Sequence, residues 1–141
     1  MFHGSSDPTA AYRKVGLEGQ LESASPHKLV LMLFEGAMLA IANAQHHMAA
    51  GNIAEKGQSI SRCIEIIASG LQASLDLEIG GELALRLEAL YEYMGQRLLH
   101  ANLKNDQAAL SEVATLLGDL KSAWEQIATD SAVLSPNGKE S

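Results

Sequence analysis

Residues 25–51 read SPHKLVLMLFEGAMLAIANAQHHMAAG, and this stretch decides the fold class. Ser25 is a typical N-cap residue, and Pro26 suits the first helical position because no backbone N–H is needed there. Gly51 is a typical helix stop. One apolar stripe recurs at spacings of three and four, through Val30, Phe34, Ala37 and Ile41. The stretch therefore predicts one long amphipathic helix.

The composition extends this prediction to the whole chain. Leucine and alanine supply 42 of the 141 residues, whereas six residues are aromatic and three are proline. No proline occurs between Pro26 and Pro136, and this argues against the turn-rich chemistry of a small sandwich or barrel. A chain of this length suits one domain with one core.

A second helix is predicted directly after the first. Asn52 and Glu55 have the spacing of a capping box, and the diglycine Gly80-Gly81 ends the helix. Because the connection at residues 51–52 is so short, the first two helices should be antiparallel neighbours. The predicted apolar seam of this helix consists of Ile53, Gly57, Ile60, Ile64, Ile67, Leu71 and Leu75.

Two further helices complete the pattern. The third runs from about Glu82 to Asn102, and the fourth begins at Asn105 as N-cap, with the Asp106 carboxylate facing the positive helix end, and ends near Thr129. Their seams are Leu83, Leu87, Leu90, Met94, Leu98 and Ala101, and Leu110, Val113, Leu117, Leu120, Trp124 and Ile127. The fold class predicted is all-α, an antiparallel up-down four-helix bundle.

The three parts of the chain differ in composition. Residues 26–129 form the predicted bundle, and residues 130–141 form a polar, disordered C-terminal tail. Residues 1–25 are predicted to be a mobile N-terminal arm with one helical turn near Tyr12. Its apolar side chains, Tyr12, Val15 and Leu17, could cap a groove of the bundle.

Charge and motifs exclude several function classes. The formal net charge is −7, and no basic run exceeds Arg13-Lys14, so nucleic-acid binding is not expected. Cys63 is the single cysteine, and neither a signal peptide nor an 18-residue apolar run is found; both features favour a cytoplasmic protein without membrane insertion. His46 and His47 point about 100° apart on a helix, and no cofactor motif occurs. We expect no metal, cofactor or catalytic residue.

Apolar residues outside the seams are the informative ones. Leu31 and Met38 flank the first seam, and the isoleucine seam is flanked by Cys63, Ile66, Gly70 and Leu77. The third helix adds Ala84, Tyr91 and Gly95, with Leu98 at the border. These rows are either a wide core face partly covered by the arm, or a groove for a partner helix or extended peptide. The same two explanations apply to the helix-interior glycines Gly36, Gly70, Gly95 and Gly118.

Two rival functions remain open from the residues alone: a small enzyme or metal-binding bundle, and a homo-oligomer that buries the flanking rows against another copy. If the groove explanation holds, aspartate at Ile66 or Leu31 should weaken binding and leave the helices intact. Aspartate at the seam residue Ile64 should unfold the bundle.

Several segments together resemble a known family. They are SASPHKLVLMLFEGA at residues 23–37, GLQASLDLEIGGELA at residues 70–84, LEALYEYMGQRLLHANLKND at residues 87–106, and residues 116–127 with Trp124. Over about residues 10–128 the chain is similar to the flagellin-specific secretion chaperones, the FliS family.

The resemblance implies a non-enzymatic chaperone of bacterial flagellum biogenesis in the cytosol. Such a chaperone binds the disordered C-terminal segment of flagellin one to one, prevents premature polymerisation, and hands flagellin to the flagellar type III secretion apparatus at the export-gate protein FlhA. An anti-sigma factor is a further expected client, and the free chaperone is expected to be a monomer or weak homodimer. The predicted flagellin-binding groove comprises Leu31, Met38, Cys63, Ile66, Gly70, Leu77, Ala84, Tyr91, Gly95 and Leu98.

The resemblance also assigns roles to the arm. Tyr12, with Val15, matches the family's N-terminal tyrosine, which is associated with the export gate and with displacement of the arm. The chain departs from the family pattern at three positions: an aliphatic residue is common where it has Thr9, Asn where it has Arg86, and a second Arg where it has Gln96.

Overall fold

The computed structural model describes residues 8–16 and 25–129, and every regular element within these ranges is a helix. The elements are α1 (Pro8–Lys14), α2 (Pro26–Ala50), α3 (Ile53–Glu65), a π-helical segment (Ile66–Gln72), α4 (Leu77–Lys104) and α5 (Gln107–Thr129). The predicted all-α class is confirmed, and α1 supplies the helical turn expected near Tyr12. The predicted tail at residues 130–141 lies outside the described residues.

Helix α2 begins and ends where the sequence predicts. The Ser25 hydroxyl oxygen accepts a hydrogen bond from the Lys28 backbone N–H at 3.1 Å, and Pro26 occupies the first turn. Gly51 adopts the left-handed conformation with φ 77° and donates its N–H to the last carbonyls of the helix. The two-residue connection to α3 makes these helices antiparallel neighbours.

The predicted capping box at the start of α3 is wrong. The Asn52 side chain makes no capping hydrogen bond to α3. Its amide nitrogen instead lies 3.2 Å from Nδ1 of His47, so this side chain turns back towards the end of α2. Helix α3 begins without a side-chain cap because the short turn is already fixed by Gly51.

The predicted second helix is not continuous. After Glu65 it widens into the π-helical segment, which buries Ile66, Ile67, Gly70 and Leu71. Such a broad buried face is needed because this segment contacts three elements, α1, α2 and α4. A regular seam of one residue every three or four positions would satisfy only one or two neighbours.

The next helix begins earlier than predicted. Asp76 is the N-cap of α4, and its carboxylate accepts hydrogen bonds from the backbone N–H groups of Glu78 and Ile79 at 3.1 and 3.0 Å. Gly81 does break the helical conformation, with φ 57° and ψ −134°, but it forms a kink inside α4 and does not form the boundary. Leu77 therefore belongs to α4.

The corner between α4 and α5 also differs in detail. Asn105 adopts the left-handed conformation, φ 52°, and ends α4; it is not the predicted N-cap of α5. Asp106 caps α5, since its carboxylate accepts the Ala109 N–H at 3.2 Å. Lys56, which is 3% exposed, donates its ammonium to the Asn102 carbonyl oxygen at 2.9 Å and to Oδ1 of Asn105. A buried cation thus neutralises the negative end of α4.

The four long helices pack as a closed bundle. Helix α2 contacts α3 and α5, and α4 contacts the same two helices, which with the short connections gives the up-down arrangement. Helix α2 is long and apolar enough to cross a membrane by length and composition alone. Seven of its residues are nevertheless buried in the bundle: Leu29, Leu33, Phe34, Ala37, Ala40, Ile41 and Ala44.

Two predicted seam residues are exposed. Ile53 is 62% exposed because it is the first residue of α3 and extends past the bundle core. Leu83 is 68% exposed, whereas Ala84 and Tyr91, predicted to flank the seam, are buried. Ala84 and Tyr91 are seven residues, about two helical turns, apart, so both lie on the inward face of α4 that also carries Leu98.

Candidate binding site

The described part of the N-terminal arm lies in a groove. Helix α1 contacts α2 and the π-helical segment, and the side chains of Tyr12 and Val15 are almost completely buried. The groove continues past Tyr12 as an open cavity of about 510 Å³. Its remaining lining residues are Lys28, Met32, Glu35, Gly36, Leu39, Ala40, Asn43, Arg62 and Ile66. We call this surface the arm groove.

Polar contacts hold the arm at its C-terminal end. The Arg62 guanidinium donates a hydrogen bond to the Val15 carbonyl oxygen and lies 3.7 Å from the Glu65 carboxylate. Burial, with a smaller contribution from the nearby charge of Glu35, raises the pKa of Tyr12 to about 12. The phenol therefore stays neutral at physiological pH, and Tyr12 anchors the arm in its groove as an uncharged side chain.

The predicted row beside the isoleucine seam is not a free surface. Cys63, Ile66 and Gly70 are buried, which supports the wide core face partly covered by the arm for this row. The Cys63 thiol donates to the Ala37 carbonyl oxygen at 3.4 Å, and burial raises its pKa to about 12. A thiol in this state is a packing group and not a nucleophile.

Three of the four helix-interior glycines lie at close packing positions. A Cβ atom at Gly70 would lie 2.9 Å from Cδ2 of the buried Leu33, and one at Gly118 would lie 3.7 Å from Cε of Met38. At Gly36 the nearest atom would be Cδ1 of Ile66 at 3.5 Å. At Gly95 nothing would lie within 4 Å, so close packing does not explain that glycine.

The ten predicted groove residues do not share one surface. Met38 and Leu31 are half-buried, and Met38 reaches α5 beside Gly118. Leu98 lies fully inside the core, and Ala84 is buried. Leu77 is partly exposed at the start of α4. The π-helical segment changes the helical phase between Cys63 and Leu77, so these residues do not form one continuous row. Flagellin binding at the ten positions stays a prediction.

Aspartate was expected to unfold the bundle at Ile64 and not at Ile66, but the burial of the two residues indicates the opposite. Ile66 is 1% exposed and belongs to the core cluster, whereas Ile64 is only partly buried and packs at its edge. The residue that an introduced charge would disrupt most is therefore Ile66. Sequence periodicity alone could not show this, since the arm that covers Ile66 comes from a distant part of the chain.

A second apolar cleft was missed by the sequence analysis. It has a volume of about 250 Å³ and lies where the start of α2, the end of α5 and the start of α4 meet. Its lining residues are Val30, Phe34, Leu71, Ser74, Leu75, Leu83, Leu87, Tyr91, Leu120, Ala123, Trp124 and Ile127. We call this surface the end cleft. The available signal was the large aromatic Trp124 near the end of the fourth seam.

The indole of Trp124 is held in place by His27. Its ring stacks on His27 with centroids 4.6 Å apart and an interplanar angle of 7°, and its Nε1–H donates to the His27 carbonyl oxygen at 2.9 Å. Neither ring nitrogen of His27 has a hydrogen-bond partner among the described residues, and burial lowers the pKa of this imidazole. The end cleft therefore has one rigid aromatic wall.

Further apolar side chains lie on the outer side of α4. Leu85, Leu99 and Leu103 are exposed and project from one face, because their spacings of 14 and 4 residues return to nearly the same angle. Arg86, one of the departures from the family pattern, forms an exposed ion pair with Glu82 at 2.7 Å. Among residues 8–16 and 25–129, no three histidine, cysteine, aspartate or glutamate side chains group as metal ligands.

Comparison with known proteins then decides the family. The family model described as Flagellar protein FliS matches residues 8–131, which include α1 and all four long helices. The chain belongs to the FliS family. FliS proteins are flagellar secretion chaperones and not enzymes, so the enzyme alternative is excluded.

Several curated relatives agree with this assignment. The Flagellar secretion chaperone FliS of Salmonella typhimurium (strain LT2) is 48% identical over 117 residues, which are 83% of this chain and 87% of that protein. The Flagellar secretion chaperone FliS of Escherichia coli (strain K12) is 43% identical over 129 residues, 92% and 91% of the two chains. The Flagellar secretion chaperone FliSB of Pseudomonas aeruginosa is 45% identical over 116 residues, 82% and 91%.

Proposed function

We propose that this flagellar export chaperone binds the C-terminal segment of flagellin in the bacterial cytosol, prevents its premature polymerisation, and delivers it to the type III secretion apparatus. Membership of the FliS family supports the export role. The observation that carries the binding proposal is the arm groove, an apolar surface that the chain's own N-terminal helix covers.

Flagellin would take the place of α1. The arm buries Tyr12 and Val15 on a groove whose walls include Ile66 and Met32. An apolar segment that displaces α1 would find a surface already shaped for helical side chains. This exchange keeps the groove covered in both states, as is expected for an apolar surface of this kind on a free chaperone.

The client segment would gain order only while it is bound. A disordered segment pays its ordering entropy on binding, so a modest affinity per unit area is compensated by a large wrapped surface. Leu39, which lines the arm groove and is exposed, extends the apolar surface beyond the part that the arm covers. One client chain per chaperone follows, because there is one arm to displace.

Displacement of the arm would also signal loading to the export gate. Tyr12 is completely buried in the free chain, so a partner cannot contact its side chain until α1 leaves the groove. We propose that FlhA recognises the released arm through Tyr12 and Val15, and therefore prefers the loaded chaperone. An anti-sigma factor as a further client, and a weak homodimer of the free chain, stay predictions.

Titration calorimetry with the flagellin C-terminal segment tests the binding site. Leu39 lines the arm groove and is 64% exposed, so Leu39→Asp should weaken binding at least tenfold and leave the fold intact. The matched control is Leu103→Asp on the outer side of α4, where the leucine is 77% exposed. Equal affinities for Leu39→Asp and the wild-type chain would refute the arm groove as the site.

A second variant tests the exchange itself. Tyr12→Ala removes the anchor of the arm and leaves the groove walls unchanged, so flagellin should bind at least threefold more tightly because less competes with it. If the affinity of Tyr12→Ala were lower than that of the wild-type chain, the arm would assist flagellin binding and would not compete with it.

A further inference from the structure

The polar contact between α1 and the bundle is a contact with the end of a helix. The Val15 backbone N–H donates to the Ala11 carbonyl oxygen at 3.3 Å, so Val15 belongs to the last turn of α1. Gly16 follows it in the left-handed conformation, φ 81°, and ends the turn. Carbonyl groups at the C-terminal end of a helix have no partner within that helix. The Arg62 guanidinium donates to one of them, the Val15 carbonyl oxygen.

Arg62 belongs to the wall of the arm groove and not to the arm. It lies in α3 and lines the groove together with Ile66, and its side chain is 40% exposed. We propose that Arg62 sets the direction in which a client helix lies in the arm groove, by donating to a main-chain carbonyl oxygen at the C-terminal end of that helix. This role rests on the proposed exchange of α1 for flagellin, because both occupants would use the same donor.

The charge around Arg62 favours a neutral carbonyl oxygen over a carboxylate. Nη1 of Arg62 lies 3.7 Å from the Glu65 carboxylate, so the positive charge is already partly balanced. A client carboxylate on the same donor would lie close to the Glu65 carboxylate, and like charges repel each other. A main-chain carbonyl adds a hydrogen bond without adding a charge, and the guanidinium has five N–H groups to share among its acceptors.

The same donor distinguishes the two possible directions of a client helix. Helix α1 points its C-terminal end at Arg62, since Val15 at that end accepts the hydrogen bond. A client helix in the opposite direction would present its free N–H groups to a group that can only donate. Its positive helix end would also lie beside a positive charge. A favourable contact therefore requires the direction of α1.

Titration calorimetry with the flagellin C-terminal segment tests this role in full-length chains. In the Tyr12→Ala chain, in which α1 competes less, adding Arg62→Gln should weaken flagellin binding about fivefold, and Arg62→Lys should restore part of the loss. In the wild-type chain, Arg62→Gln should change the affinity by about twofold or less, because the arm and the client lose the same hydrogen bond. The matched control is Arg86→Gln on α4, whose arginine is exposed; it should leave the affinity unchanged in both chains.

The other outcomes overturn the role of Arg62. An unchanged affinity on adding Arg62→Gln to the Tyr12→Ala chain means that Arg62 serves the arm alone, and tighter binding means that the client helix lies in the opposite direction. A loss that disappears in about 0.5 M salt assigns Arg62 to a carboxylate of the client, because salt screens an exposed ion pair more than a hydrogen bond to a neutral carbonyl.

The Leu39→Asp variant separates this failure from a failure of the binding site. If Leu39→Asp leaves flagellin binding unchanged, the arm groove is not the site, and the role of Arg62 in it is lost as well. If Leu39→Asp weakens binding and Arg62→Gln in the Tyr12→Ala chain does not, the site stands and only the role of Arg62 is refuted.

Discussion

The arm groove and the end cleft both contain surplus apolar side chains, but they differ in what covers them. Both contain aliphatic side chains from neighbouring helices, but the arm groove also contains Lys28, Glu35 and Arg62, whereas the residues that line the end cleft include no charged one. In the arm groove, which α1 covers in part, Ile66 at the base is 1% exposed and Leu39 is 64% exposed. In the end cleft Phe34 is 3% exposed and Leu83 at the rim is 68% exposed. The two surfaces therefore differ in their cover: α1 lies on the arm groove, whereas the end cleft is lined by α2, the π-helical segment and the turn after it, α4 and α5.

The largest effect should come from a charge at the base of the arm groove. Ile66→Asp buries an unpaired carboxylate and should reduce the free energy of unfolding by at least about 4 kcal/mol. Leu83→Asp at the rim of the end cleft should change it by less than about 0.5 kcal/mol. Urea unfolding followed by circular dichroism measures both. Similar losses for the two variants would mean that the two surfaces are equally buried.

Substitution by alanine should have opposite effects at the tightly packed Gly70 and at the open Gly95. Gly70→Ala forces Cβ against Leu33, which is fully buried and cannot move aside, so the free energy of unfolding should fall by about 1 to 2 kcal/mol. Gly95→Ala adds a methyl group where nothing lies within 4 Å and should raise it by up to about 1 kcal/mol. Thermal melts measure both variants. If the melting temperatures of Gly70→Ala and Gly95→Ala changed in the same direction, the difference in packing between the two positions would be contradicted.

Removing the polar link to the arm should loosen α1 and leave the bundle intact. Arg62→Gln deletes the charged donor to the Val15 carbonyl oxygen, which should weaken docking of the arm by about 1 kcal/mol. Hydrogen exchange of the α1 amides should accelerate about fivefold, while exchange in α5 stays constant. The control is Arg86→Gln, whose exposed ion pair with Glu82 lies on α4; acceleration of α1 exchange in that variant would count against Arg62 as the link.

The smallest effect concerns the wall of the end cleft and depends on pH. Burial lowers the pKa of His27, so the unfolded chain binds a proton at higher pH than the folded one. The contribution of His27 to stability is thus fully present above its ordinary pKa of 6.5 and is lost as the pH falls through the lower folded value. Melting temperatures at pH 7.5 and 5.5 should differ less in His27→Asn than in the wild-type chain.

The exposed His46 provides the control for that prediction. His46→Asn should keep the pH dependence of the wild-type chain. If His27→Asn and the wild-type chain lost the same number of degrees between the two pH values, the stacked imidazole would have no part in the acid sensitivity.

Helix α2 shows how much of the fold local sequence can predict. Ser25, Pro26 and Gly51 act on neighbouring backbone groups, so both ends of this helix could be predicted from adjacent residues. The start of α4 at Asp76 was not predicted, because the apolar residues Leu71 and Leu75 continue the helical spacing of the second seam towards the diglycine. The π-helical segment could not be predicted for a different reason. It packs against α1, α2 and α4 at the same time, and local periodicity does not show how many elements a segment contacts.

The binding surfaces were predictable only in part. An excess of apolar side chains is a property of composition. Tyr12 and Val15, which the sequence offered as its cover, are buried in the structure. Which excess residues face solvent depends on helical phase and on the neighbouring helices: Leu83 is 68% exposed, whereas the adjacent Ala84 is buried. The end cleft combines residues almost a hundred positions apart, such as Val30 and Ile127, and no local pattern connects them.

The enclosed ammonium of Lys56 gives the corner between α4 and α5 a built-in chemical reporter. Reagents that acylate primary amines need a free, solvated nitrogen, and this one is engaged by Asn102 and Asn105. Lys28 and Lys104 are exposed and should be labelled within the first minutes. A label that arrives later at Lys56 then marks each molecule in which that corner has opened.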